Sequence, residues 1–382
     1  MKKLSINATR GKPCAEQVAL CDEMCNAPLE NFIAEDGTDV RNYGGADGIP
    51  EMKRIFAEML RVDTGEVIVG GNSSLNLMFD FVATMMLEGK WKRGEKFICP
   101  VPGYDRHFSL CEYFGLEMIS VPMTPNGPDL EATEELARDA GVAGMWCVPI
   151  FSNPQGYVYS SETVRRLAAM PTAHPHFRLL WDDAYPVHVF SGERPVLPRI
   201  LQECRTAGDE SRPVLFTSFS KISVAGAGVT CLAAAGETAA LVRRRISMQT
   251  IGPDKVNQLR HARYFGDLAG VDAHMKKHAE ILRPKFELAL ETFSRELADT
   301  GATFTSPRGG YFISVETPPG CAKRVFELCR DEGVLITEAG ATFPHGIDPA
   351  DTNLRFAPTF LSVEELAQTL EVFCAAIKKA AV

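Results

Sequence analysis

The sequence carries no long stretch of positive charge. Its longest basic run is Arg243-Arg244-Arg245, against a formal net charge of -9 and a pI near 5.5. Binding a phosphate backbone requires clustered cations, so nucleic acid is excluded as an expected ligand. No window reaches the roughly 18 apolar residues that a membrane-spanning helix needs. Residues 1–13, MKKLSINATRGKP, place the lysine pair Lys2-Lys3 near the start with no apolar stretch behind it, and the expectation is a soluble, cytoplasmic protein with no membrane partner. There is neither a CxxC pair nor a cysteine/histidine cluster at zinc-ligand spacing, and the eleven cysteines are expected to be reduced, buried small hydrophobes. Cys14, Cys21 and Cys25 are spaced to share one helical face, and no metal or disulfide role is expected of them. The glycines of GGNSS and GAGV do not make a GxGxxG fingerprint, which leaves a nicotinamide dehydrogenase unsupported. His274 and His278 stand four apart, but AHMKKHAE is so charged that a solvated helix face is the expectation. Internal repeats and low-complexity tracts are absent.

What the chain does have is length and alternation. At 382 residues, with 45% hydrophobic and 23% charged residues, it is expected to form two domains. Ile49, Met52, Ile55, Phe56, Met59 and Leu60 recur near 3.6-residue spacing, the mark of a helix with one apolar face. Apolar runs then alternate with helical patterns: EVIVGG at 66–71, FICP at 97–100, EMISVPM at 117–123, MWCVPI at 145–150, RLLWDD at 178–183 and VLFTSFS at 214–220. Strands apolar throughout and separated by helices predict an α/β fold with a mostly parallel central sheet sandwiched by helices. Beyond about residue 266 the pattern becomes a long charged helix followed by α+β, with strands near 310–316, 334–337 and 353–358. The expected division is a large domain over 40–270, and a smaller α+β domain built from 1–39 and 271–382. The first 40 or so residues fit neither helix nor strand cleanly.

In parallel sheets the ligand sits at the carboxyl ends of the strands. The residues found there are GNSS, PVPGYDRH, FSNPQG, DDAY and SK. A lysine, two adjacent carboxylates, two tyrosines and a histidine form a coherent set for holding a charged aromatic cofactor through a lysine. Pyridoxal 5'-phosphate needs such a set: an amine for a Schiff base, a carboxylate to keep the pyridine nitrogen protonated, and hydroxyls or helix N-terminal amides for the phosphate.

NYGGADGIPEM, PGYDRH, SNPQG, DDAY, SFSK and NLRFAP, in that order, resemble the fold type I, class I/II aminotransferases. The similarity is greatest to the divergent bacterial aspartate aminotransferase subgroup with an N-terminal TRGKP stretch, and it runs from about Thr9 to about Thr359. The resemblance implies that Lys221 is the Schiff-base lysine and proton shuttle, its amine kept neutral by burial. It implies that Asp182 rather than Asp183 pairs with the pyridine nitrogen, and that Tyr185 and Asn153 reach the 3'-oxygen. Tyr104 would stack on the ring and His107 would orient Asp182. Gly71, Asn72 and Ser73 open a helix and, with the Ser218 and Ser220 hydroxyls, would receive the phosphate. Tyr43 would arrive from a second subunit, so a homodimer with shared active sites is expected. Arg355 would clamp the substrate's α-carboxylate, with the Gly11 backbone N–H as a second donor and Asn153 beside them.

One position departs from the family pattern. The phosphate-binding arginine expected eight residues after the lysine is Val229 here, with Lys255 and Arg260 as candidate replacements. The implied activity is transamination between amino acids and 2-oxo acids, aspartate with 2-oxoglutarate first. Alanine or aromatic transamination and a C-S β-lyase are alternatives on the same scaffold. A sensor domain that binds the cofactor without turnover is the alternative outside enzymes; such regulators add a basic DNA-binding domain, which this net acidic chain, starting near TRGKP, is not expected to have.

Overall fold

A computed structural model describes residues 4–381. Its centre is an eight-stranded sheet in the order Val67–Val69, Thr230–Ala233, Pro213–Ser218, Arg178–Asp182, Val142–Cys147, Lys96–Val101, Glu117–Thr124, Gly127–Pro128. The five strands from Pro213–Ser218 through Glu117–Thr124 run parallel. VAGMWC and RLLWD are buried at every position because helices cover both sides of the sheet.

Alternation along each strand divides two apolar layers. Leu180, Val214, Phe216 and Trp146 pack on one side with Met78 and Phe81 of the helix Ser74–Leu87 and Phe108 of the helix Asp105–Phe114. Leu179, Trp181 and Leu215 pack on the other with Met52 and Phe56 of the helix Pro50–Leu60 and Val164 of the helix Ser161–Ala169. The period of two therefore sends Asp182 and Asp183 to opposite sides of the sheet.

The strand Thr230–Ala233 has no counterpart in the sequence reading. It is short, follows the glycine-rich stretch 226–228, and runs antiparallel between Val67–Val69 and Pro213–Ser218. Its first residue ties down the turn after Val69: Gly70 N–H donates to Thr230 O at 2.8 Å and Thr230 N–H to Gly71 O at 2.9 Å. That pairing draws residues 70–73 beside 218–221.

A second core lies around an antiparallel sheet of Thr303–Phe304, Ile313–Glu316 and Asn353–Phe356. The helices Ala322–Asp331 and Val363–Ala380 pack with it. The amino-terminal strand Ile6–Asn7 joins by parallel pairing with Val334–Leu335. The 29-residue helix Leu268–Glu296 spans both cores: Val271 and Met275 belong to the first, Ala279, Leu282, Phe286 and Phe293 to the second.

Two local expectations are corrected. His274 and His278 are not on a solvated face; both are buried on this helix, because its charged residues occupy the other positions of the turn. Cys14, Cys21 and Cys25 do not share a face. The chain makes two separate five-residue helices, Ala15–Ala19 and Asp22–Asn26, which leave Cys14 and Cys21 buried and Cys25 exposed. No helix among the described residues is long and apolar enough to cross a membrane.

Candidate active site

A cleft of about 510 Å³ opens at the carboxyl ends of the parallel strands, between the large sheet and the second core. Lys221, Tyr104, Tyr185, Asn153, Gly11 and Arg355 all line it. They come from the end of one strand, the start of one helix, two loops, the amino-terminal segment and a strand of the small sheet, so only the assembled fold makes them neighbours.

Lys221 follows the strand Pro213–Ser218, and its Nζ lies 5.0 Å from the centre of the Tyr185 ring. Burial lowers the pKa of its amine; Asp182 opposes the shift and Arg355 adds to it. An amine in this position reaches its neutral, basic form at a lower pH than a surface lysine.

Asp182 ends the neighbouring strand Arg178–Asp182. His107 Nε2 lies 3.0 Å from Asp182 Oδ2 and donates to it, while Asp182 Oδ1 is buried with no hydrogen-bond partner. The His107 ring is itself fixed, stacked on Trp146 at 4.0 Å and 6°. A buried carboxylate with one oxygen held and the other free is fitted to accept from a cationic N–H, as a protonated pyridine nitrogen would supply. Asp183, on the other side of the sheet, borders a different cavity of about 320 Å³ with Trp181, Met59 and Arg194. Burial, then the charge of Asp182, raises its carboxyl to about 7.

Tyr104 precedes the first turn of the helix Asp105–Phe114, edge-on to His107 with ring centres 5.0 Å apart. Burial, then the charge of Asp182, pushes its phenol up to about 12. The buried Tyr185 phenol is likewise raised, by burial first and then by Tyr104 and Asp182. Asn153 Oδ1 accepts from Arg355 Nη1 at 3.3 Å. Arg355 lies against the Phe312 ring, 4.9 Å from its centre, and its Nη1 also donates to Asp105 Oδ1 at 2.9 Å. Gly11 abuts the same ring: a Cβ there would stand 2.5 Å from Phe312 Cε1, so this position admits only glycine without moving the ring.

The aspartate amino-transferase family model matches residues 1–382 of this chain. The chain belongs to the aspartate aminotransferase family. An aspartate aminotransferase of Corynebacterium glutamicum is 47% identical over 97% of this chain and 88% of its own length. An aminotransferase of Mycolicibacterium smegmatis, described as putative, is 44% identical over 97% of this chain and 90% of its own. The crystal structure of an aspartate transaminase from Corynebacterium glutamicum superimposes with a TM-score of 0.96 at 46% identity, covering 99% of this chain and 92% of that one. The α-aminoadipate aminotransferase of Thermus thermophilus shares the fold, with a TM-score of 0.81 at 23% identity over 98% of this chain and 92% of its own.

In this aminotransferase the departure at Val229 is structural as well as chemical. Val229 is packed in the apolar core. Lys255 donates its amine to Gly44 O at 2.6 Å, and Arg260 borders a separate surface cavity with Met24, Asn31 and Arg263. The polar groups gathered near the start of the helix Ser74–Leu87 include backbone amides and hydroxyls. Ser73 caps the helix Ser74–Leu87 without any side-chain cap bond, leaving first-turn N–H groups open. Ser220 Oγ donates to Asn72 O at 2.9 Å, Asn72 Nδ2 donates to Gly226 O at 3.2 Å, and Ser218 Oγ accepts from Ser220 N–H at 3.4 Å. Tyr43 stands outside the cleft, 80% exposed.

Several residues at the site had no signal in the sequence. Tyr311 Oη donates to the main-chain carbonyl of Lys221 at 3.4 Å, and His188 Nε2 lies 3.4 Å from the same oxygen. Gln17 Nε2 donates to Tyr311 Oη at 3.0 Å and to His278 Nδ1 at 2.8 Å. His278 Nε2 then lies 3.1 Å from His274 Nε2, which lies 2.9 Å from Ile222 O. This buried chain ties the amino-terminal segment, the long helix and the lysine loop together. Burial, then the neighbouring His274, lowers His278 to about 3, so the network is built from uncharged imidazoles at neutral pH. Asp105, the partner of Arg355, was visible only as part of PGYDRH.

Proposed function

We propose that the protein is a pyridoxal 5'-phosphate-dependent transaminase that uses aspartate and 2-oxoglutarate. The observation that carries the cofactor reading is the free, buried Oδ1 of Asp182, whose other oxygen is held by His107 and whose charge acts on the Lys221 amine, itself of lowered pKa. The substrate reading is carried over from the Corynebacterium glutamicum aspartate aminotransferase.

When bound, the cofactor supplies an electron-accepting ring and a carbonyl carbon that carries the amino group from donor to acceptor. Asp182 Oδ1 would accept from the ring N–H and keep that nitrogen protonated, while His107 holds the carboxylate in place. Tyr104 would cover the ring, Tyr185 and Asn153 would act at its 3'-oxygen, and the amides of residues 71–73 with the Ser218 and Ser220 hydroxyls would receive the phosphate. Arg355 and the Gly11 N–H bind the α-carboxylate, which sets the Cα–H bond against Lys221. Lys221 Nζ, in its unprotonated form, would take the Cα proton from the donor and deliver a proton to the acceptor's Cα in the return half of the cycle. Residues 40–270 form the large cofactor-binding domain, with 1–39 and 271–382 forming the smaller one. Tyr43, exposed in a single chain, is assigned to the neighbouring active site of a homodimer.

The test is the visible absorption spectrum of the purified protein with added pyridoxal 5'-phosphate. The expected result is a band that aspartate bleaches and 2-oxoglutarate restores. Bleaching by alanine, phenylalanine or cysteine but not by aspartate would discard the substrate; no band at all would discard the cofactor.

A further inference from the structure

The cleft leaves one arginine without an assigned task. Beside Lys221 it holds three arginines, Arg10, Arg106 and Arg355, and two carboxylates, Asp105 and Glu338. Arg355 is paired with Asp105 at 2.9 Å, and Arg106 Nε lies 4.0 Å from the other oxygen of the same carboxylate. Arg10 has no ion-pair partner among the described residues, yet it lines the cleft.

The backbone that carries Arg10 is pinned on both sides. Ala8 N–H donates to Leu335 O at 2.7 Å and Thr337 Oγ1 donates to Thr9 O at 2.8 Å. On the other side Gly11 is set against Phe312, and Thr359 Oγ1 donates to Lys12 O at 3.2 Å. The Phe312 ring that Gly11 touches is the one on which Arg355 lies. Arg10 therefore stands next to the residue that shares a ring with the α-carboxylate clamp, at a fixed backbone position, with a long side chain at the cleft. Aspartate's second carboxylate is only two bonds beyond its α-carbon, and such an anion entering this cleft meets a solvent-exposed guanidinium with no competing carboxylate bound to it among the described residues.

We infer that Arg10 binds the side-chain carboxylate of the dicarboxylic substrates and so sets the preference for them over neutral amino acids. The assignment rests on the proposed aspartate reading. A planar fork matches a carboxylate with two parallel hydrogen bonds, which a lysine reproduces only as a point charge. Arg106 already faces Asp105, so it is the weaker anchor.

The experiment compares holoenzyme variants R10Q, R10K and R106Q in the aspartate and alanine half-reactions. Calorimetry with maleate, an unreactive dicarboxylate, gives a readout that does not depend on turnover. R10Q is expected to lose about 10- to 100-fold in kcat/KM for aspartate and a similar factor in maleate affinity. Alanine should change by less than about threefold, and R10K should recover part of the aspartate loss. Equal losses for aspartate and alanine, or a dicarboxylate loss in R106Q but not R10Q, would overturn the assignment while leaving the aspartate reading standing. A wild-type enzyme with no preference for aspartate over alanine would overturn that reading and this assignment with it.

Discussion

Replacing Asp183 by asparagine keeps the side chain's shape and removes an ionisable group that folding has driven into an apolar place. Burial and the adjacent Asp182 raise this carboxyl from its ordinary 3.8 to about 7, against an opposing pull from Arg194. Over that window the folded protein keeps a proton that the unfolded chain has released. Stability therefore falls as pH rises through the window, by about 1.4 kcal/mol per unit, and is flat above it. Moving from about pH 5.5 to about pH 8.5 crosses roughly 1.5 units of the window, so the wild type should lose about 2 kcal/mol that D183N keeps. Urea denaturation of both proteins at those two pH values measures the difference directly. Ionisable groups remote from Asp183 titrate alike in both proteins and cancel. A stability gap constant to within about 0.5 kcal/mol across the range would refute the reasoning, because it would mean that Asp183 is ionised in the fold throughout.

Three further outcomes follow from the site geometry. His107→Ala leaves both oxygens of Asp182 without a partner, and titrating the apoprotein with pyridoxal 5'-phosphate should show affinity weakened by about 10- to 100-fold; unchanged affinity would remove His107 from its positioning role. Asp105→Asn releases Arg355 from a half-exposed ion pair, so KM for amino donors should fall about 2- to 5-fold with kcat unchanged; a rise in KM would show that Asp105 helps to bind the substrate. Gln17→Leu strands the buried Tyr311 hydroxyl and His278 Nδ1, and urea denaturation should register a loss of about 1–3 kcal/mol. No loss would mean that the network carries no net stability.

Much of the fold was legible because apolar strands alternating with amphipathic helices leave few alternatives to a covered parallel sheet. The strands at 97–100, 117–123, 145–150 and 178–183 are marked by their apolar runs alone, within a few residues of their observed bounds. Thr230–Ala233 escaped because four small and apolar residues after a glycine-rich turn give no periodicity to read. His274 and His278 were misplaced for a related reason: lysines on one side of a helix say nothing about what packs against the other.

The site divides along the same line. Local order in the chain determined the candidates: Lys221 just beyond a strand, Asp182 and Tyr185 three apart, and Ser73 at a helix start are features of short-range spacing and survive without any knowledge of packing. Spacing alone did not separate Asp182 from Asp183, which family resemblance had to choose between; the tertiary structure sets Asp182 against His107 and Asp183 against a different cavity, because one pleat of the strand sends them to opposite layers. It alone brought Arg355, Gly11 and Phe312 together, and it alone joined Gln17, Tyr311 and His278 behind the lysine. Those partners lie up to hundreds of positions apart in the chain, and what aligns them is the burial of shared apolar faces, which a sequence states only as a tendency of each segment.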